Sequence, residues 1–149
     1  FRRVLLRSID FHNIMSILRG KFWGLDEEQI QSLIVTQTPS VPKELLGKLI
    51  SSDSVRGVFD ELASSKYREL VPQTDDNLEA VSAFEHAFEM AIYKTVNRSF
   101  TKMFSFATVV GITKLTTYEV RNIAAIAFAV DQKIDPQTTM SRLIVSQEE

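Results

Sequence analysis

The 149-residue chain contains no cysteine, which removes disulfides, thiolate metal sites and cysteine nucleophiles together. A reducing compartment is the simpler reading of that absence. Glycine and proline are scarce, with five and four residues, about half of the roughly 12% that the two supply in average chains. A turn-rich β fold would need more of both. An excess of one charge is also missing, since 17 Lys and Arg stand against 19 Asp and Glu. Without a basic stripe, no nucleic-acid partner is expected. The longest apolar run, 123–130, has eight residues, far short of the roughly 20 that a membrane span requires. Direct membrane insertion is therefore not expected either. Nothing at the start has the pattern of a signal peptide, because Phe1-Arg2-Arg3 leads straight into a helical pattern. Opening on Phe suggests a piece of a longer polypeptide.

What the sequence does have is helical periodicity. Leu6, Ile9, Ile14, Ile17, Leu18 and Phe22 recur at three- and four-residue steps. They predict a helix over 1–23, with Gly24 as its C-terminal cap. Asp26-Glu27-Glu28 opens a short second helix, where an acidic first turn suits the helix dipole. Residues 36–41 read as a loop, with helices over 43–50, beginning at Pro42, and over 54–63. A further turn at 67–70 stops at Pro72. The longest signal is 77–98, with Leu78, Val81, Phe84, Phe88, Ala91 and Ile92 in one stripe and Asp76 and Glu79 at capping-box spacing. By composition 100–112 would suit a strand. Strong helices flank it and no partner strand exists, so helix is expected. Helices over 113–130 and 136–144 complete an all-α chain.

The two ends of the chain resemble each other. Asp10, Asn13, Ile14, Ile17, Leu25 and Asp26 match Glu119, Asn122, Ile123, Ile126, Ile134 and Asp135 at one constant offset. With one residue inserted, Leu33-Ile34-Val35 then matches Leu143-Ile144-Val145. A period near 109 residues is too long for a solenoid and suits a duplicated helical module. The expected division is one module over 1–112, assembled from parts of one or two domains, and the first helices of the next repeat over 113–149, packing back on the core. In each copy the acid and the amide lie on one helix face inside an apolar stripe. Such polar pairs must be hydrogen-bonded, since unsatisfied burial costs about 1–3 kcal/mol per group. Asp10 with Asn13, and Glu119 with Asn122, are therefore read as structural pairs that fix helix register.

Reactive constellations are sparse. His86, Glu79 and Glu89 share a helix face that could hold a metal, but that face reads as a solvated surface, and no metal or cofactor is expected. His12 is a weaker candidate still. No G-x-S-x-G, GK[ST], G-x-G-x-x-G or H-E-x-x-H occurs, and two histidines give a nucleophile few bases. Arg2, Arg3 and Arg7 read as a solvated face, not a phosphate site. Phe100, Met103, Phe104 and Phe106 read as core that could expose part of itself to a partner.

The run Asp10-x-x-Asn13-Ile14-x-x-Ile17-Leu18-Arg19-Gly20-Lys21-x-x-Gly24-Leu25 resembles the recurring helix of the C-type stalk subunits of V-type/A-type ATP synthases. That family is related to the eukaryotic V-ATPase d subunit. Ser54-Val55, Leu62 before Tyr67, Phe84-Glu85, Ala87-Phe88 and Tyr118-Glu119-Val120-Arg121-Asn122-Ile123 resemble it in the same order. The resemblance spans nearly the whole chain and implies the C-terminal portion of an all-helical, funnel-like subunit of three related domains. It further implies a non-catalytic socket on the cytoplasmic face of the membrane, peripheral to it. The socket would join the central axle to the proteolipid ring and transmit torque for proton or sodium transport. Arg19, Lys21, Glu27 and Glu28, charged helix ends, would meet polar loops of the ring. The second copy departs from the pattern, with Ala124 after Asn-Ile and Phe128-Ala129-Val130 in place of Arg19-Gly20-Lys21. Its helix is expected to be the more completely buried. The competing reading is a helical regulatory or scaffold module unrelated to rotary ATPases, binding through 100–106, and an enzyme stands third.

Overall fold

A computed structural model describes residues 2–36, 40–99 and 106–145, and among them there is no strand. The elements are α1 (Arg2–Phe22), α2 (Glu27–Ser32), α3 (Lys43–Ser51), α4 (Val55–Ala63), a 3₁₀ turn (Arg68–Leu70), α5 (Asn77–Ser99), α6 (Phe106–Asp131) and α7 (Pro136–Met140). The fold class is all-α. Helix α6 starts at Phe106, so the apolar stretch 106–112 continues into it without a break. The aromatic stretch 100–105 lies outside the described residues, as does the Phe106 side chain.

Local chemistry sets the helix ends. Asp26 accepts the Gln29 N–H at 2.8 Å while the Gln29 side chain accepts the Asp26 N–H at 3.1 Å, a complete capping box that starts α2. Ser54 caps α4 by accepting the Gly57 N–H at 3.1 Å. Pro42 is the N-cap of α3 and not its first residue. Asp76 accepts the Glu79 N–H at 2.7 Å, but the Glu79 carboxylate turns to the Thr74 hydroxyl at 2.8 Å. Only half of the expected box forms there, because a hydroxyl on the incoming loop competes for the carboxylate.

Two compact units make up the chain, Leu5–Phe88 and Phe1–Val4 with Glu89–Glu149. In the first, Ile14, Ile17, Leu18, Leu49, Val58, Leu62 and Phe84 are fully buried. Each large apolar side chain removed from water contributes about 1.5–3 kcal/mol. Phe84 packs edge-on against Phe59 and Phe88, with ring centres 5.6 and 5.7 Å away, and Phe88 also meets Phe11 at 5.3 Å and Tyr67 at 5.4 Å. In the second unit, Ile92 and Val96 of α5 and Tyr118 of α6 are buried, and Tyr93 meets Tyr118 edge-on at 6.2 Å. The face of α5 expected to be solvated is not so throughout. Glu89 is 6% exposed and ion-paired with Arg121.

The repeat is visible bond by bond. The Trp23 and Leu25 N–H groups bond to the Arg19 and Gly20 carbonyls, both at 2.9 Å. Their counterparts are Gln132 to Phe128 and Ile134 to Ala129, again both at 2.9 Å. Gly24 makes the turn at φ +71° and Lys133 makes it at φ 53°. A left-handed lysine costs about 1–3 kcal/mol, and the flanking hydrogen bonds hold it there. Asp135 then caps α7 through the Thr138 N–H at 2.9 Å, as Asp26 caps α2. No insertion separates the copies. The expected one-residue gap followed the shared letters Leu-Ile-Val, whereas the backbone bonds keep the register that the helix sets.

At the crossing of α1 and α2, a Cβ on Gly20 would lie 2.6 Å from Cγ1 of Ile30. The second copy has Ala129 in the first position and the smaller Thr139 in the second. One methyl added on one side of the crossing is thus matched by bulk removed on the other. Gly20→Ala should therefore destabilise the protein by about 1–3 kcal/mol. Adding Ile30→Thr should cost less than the two single changes summed. Urea unfolding of the four proteins in the cycle checks this, and strict additivity would refute it.

Candidate functional site

The polar residues inside the apolar stripe of α1 organise its surroundings. Asp10 is 1% exposed and meets five donors. Its Oδ1 accepts the N–H groups of Ser40 at 3.1 Å and Val41 at 3.2 Å. Its Oδ2 accepts the Tyr67 hydroxyl at 2.6 Å and the Ser40 hydroxyl, and faces the Lys66 ammonium at 3.3 Å. One carboxylate therefore joins α1 to two segments 30 and 57 residues further on. Burial, followed by the hydrogen bond and charge of Asp10, pushes the Tyr67 phenol far above the usual tyrosine range.

One turn later Asn13 clamps a single backbone residue. Its amide donates to the Val35 carbonyl at 3.0 Å, and its oxygen accepts the Val35 N–H at 2.9 Å. Asn122 does the same to Ile144, at 2.8 and 3.0 Å. Each partner lies 22 residues beyond its asparagine. The chain leaving the short helix is thereby fixed against the long one. Asn13 is buried and Asn122 half-buried, while Glu119, the counterpart of Asp10, is exposed. The second copy is not the better buried one. Ile123 is 67% exposed and Phe128 61%, against 0% for Ile14. In the first unit Phe88 and Tyr67 are among the residues packed against α1.

The charged helix ends differ among themselves. Arg19 makes a two-pronged ion pair with Glu85, both bonds at 2.8 Å. Its guanidinium is therefore engaged within the chain and not free. Lys21 is half-buried at the end of α1, and Glu27 and Glu28 are exposed in the first turn of α2. Beside the Arg19–Glu85 pair lies a shallow cleft of about 190 Å³ lined by Phe22, Trp23, Leu78 and Val81. His12 bonds to the Leu33 carbonyl at 3.1 Å, and His86 is half-buried. Among the described residues no three His, Asp or Glu side chains are grouped to share a metal ion. No helix among them is long and apolar enough to cross a membrane. Ser40, Lys66 and Tyr67 as partners of Asp10, Glu85 as partner of Arg19, and the Arg121–Glu89 pair all escaped sequence reasoning. Each joins residues 30 or more apart, and no local spacing marks them.

The site is thus a helical hairpin built twice, with its polar groups directed at backbone and counter-charges. The chain belongs to the ATP synthase (C/AC39) subunit family, whose pattern matches residues 1–142. It is 27% identical to the C-type subunit of the A-type ATP synthase of Methanocaldococcus jannaschii, over 97% of this chain and 37% of that protein. To the same A-type ATP synthase component of Pyrococcus horikoshii and Pyrococcus abyssi it is 26% and 27% identical, over 87% of this chain and 35% of each. The chain spans a little over a third of the length of the curated relatives it matches. No solved structure matches it. Family membership displaces the reading of a scaffold unrelated to rotary ATP synthases.

Two measurements probe these anchors. Asn13→Ala should cost about 2 kcal/mol in urea unfolding and Asn122→Ala less, since the second amide is half solvated. Equal losses would contradict the difference in burial. Burial, with Glu89 adding to it and Arg121 opposing, pushes the Tyr118 phenol up to about 12 from its ordinary 10.0. The folded state then holds a proton that the unfolded state releases, so stability is full below pH 10.0 and falls as pH rises toward about 12. Tyr118→Phe should flatten that decline, read by denaturation at several alkaline pH values.

Proposed function

We propose that this chain is part of a non-catalytic socket of a rotary ATP synthase, linking the central axle to the membrane proteolipid ring and passing torque between them. Within it, residues 1–112 are one module and 113–149 open the next. Such a part works peripherally, on the cytoplasmic face of the membrane, for a machine that moves protons or sodium. The observation that carries the reading is the buried Asp10 anchor within a chain of this family. One carboxylate with five donors ties three separated segments together, and a socket needs that stiffness more than it needs reactive groups.

Contact with the ring falls to the charged helix ends, Lys21, Glu27 and Glu28, with Arg19 acting through its pair with Glu85. Charges at a rim steer and select partners more than they add affinity. In the full-length protein, Lys21→Glu should weaken association with proteolipid rings roughly fivefold and leave helicity unchanged. Exchanging the pair, Arg19→Glu with Glu85→Arg, should keep the stability that Arg19→Glu alone loses while still weakening association. Unaltered capture of proteolipid rings by both variants would remove these residues from the ring contact.

A further inference from the structure

Two residues of α3 are not explained by contacts within the chain. Lys48 on that helix reaches Glu61 at 3.9 Å and Lys66 reaches Asp10 at 3.3 Å. Lys43, exposed, meets no carboxylate among the described residues. Gly47 weakens the middle of α3, since glycine is a poor helix former. Gly20 lets Ile30 lie close and Gly57 stands against Ser52, but a Cβ on Gly47 would meet nothing within 4 Å. The space beside it is a cavity of about 290 Å³, lined from α3 by Lys43, Leu46, Gly47 and Ile50. Those positions are three and four apart and share one helix face. Ile34 and Thr36 line it from the chain that follows α2. Asn13 holds both backbone groups of Val35 between them, so this part of the lining is set before anything enters.

We propose that this cavity binds a free medium-chain alkyl carboxylate, its tail against Leu46, Gly47 and Ile50 and its headgroup on Lys43. The lining is mainly aliphatic, with Leu46 buried and Ile34 and Ile50 half-buried, so an alkyl tail gains by leaving water. Lys43 selects an anion at one end, and the Thr36 hydroxyl adds a second donor. One ammonium balances the single charge of a carboxylate. A phosphate monoester, at about −1.5 to −2 near pH 7, would be only partly compensated. Size decides between a small molecule and a protein. The volume stands at the lower end of ligand cavities, roughly 300–1,000 Å³, whereas a stable protein partner buries about 1,200–2,000 Å². With no Cβ at position 47, a methylene chain can lie directly on the helix backbone. The site is apart from the charged helix ends assigned to the ring, and it does not depend on the socket.

Octanoate is the probe, titrated by calorimetry into the full-length protein, with octanol, octylamine and hexanoate alongside. Octanoate should bind about tenfold tighter than octanol, which lacks the charge, and about tenfold tighter than hexanoate, which buries two methylenes fewer. Lys43→Glu should reverse the charge preference, so that octylamine binds better than octanoate. Gly47→Leu should fill the cavity and abolish octanoate binding while Tm holds or rises, because its first carbon has nothing to strike. Lys43 is exposed, so its variant tests the site even if the Gly47 variant fails to fold. No octanoate binding by the unaltered protein overturns the proposal. Equal affinity for octanoate and octanol overturns it as well, leaving an apolar groove without selection for an anion. Octanoate binding that survives both substitutions places the ligand elsewhere and removes this cavity as its site.

Discussion

Everything in the duplicated hairpin depends on a side-chain amide that imitates a backbone partner. A helix satisfies its own peptide groups, so the chain that leaves it has nothing on the helix surface to bond to. Asn13 and Asn122 supply the missing donor and acceptor together, and do so for one residue each. With that residue pinned, the glycine or lysine turn, the aspartate cap and the short helix between have little freedom left. Asp10 extends the same device to a second loop. Its burial is tolerable because five donors surround it, and among the described residues no buried side-chain polar atom lacks a partner.

The two copies share a backbone and differ in what surrounds them. Where α1 is enclosed, the acid is short and buried, and the crossing needs Gly20. Where α6 is open, the acid is the longer Glu119 and isoleucines face water, while the buried Ala129 is accommodated by the smaller Thr139 in place of Ile30. Packing density explains the first set, since an enclosed crossing tolerates no extra atom beside Ile30. The frame can thus be repeated while its faces are fitted to different neighbours.

Much of this was legible in the residues. The helices follow from the three- and four-residue steps of apolar side chains, and the caps at Asp26 and Ser54 from their short polar side chains. The repeat shows in the acidic–x–x–Asn–Ile pattern. What stayed hidden is long-range. Nothing local says that Asp10 meets Tyr67, that Arg19 is taken by Glu85, or that Glu89 is buried against Arg121. Burial of the second copy was misjudged because an apolar sequence reports what a face is suited to contact, not whether the contact is present. The Leu-Ile-Val match misled for a related reason, as the letters align while the bonded residues are Val35 and Ile144.

The asparagine clamp has a consequence for how such hairpins can diverge. It grips the peptide group and is indifferent to the side chain beyond it, which is why valine serves in one copy and isoleucine in the other. At the exposed Val35 nearly any amino acid can stand without loosening the joint, whereas at the buried Ile144 packing also limits the choice. Proline alone is barred, because it brings no hydrogen to donate. The hinge point is closed to motion yet open to drift, so the surface around it can be rewritten for a new neighbour while the angle of the hairpin is kept.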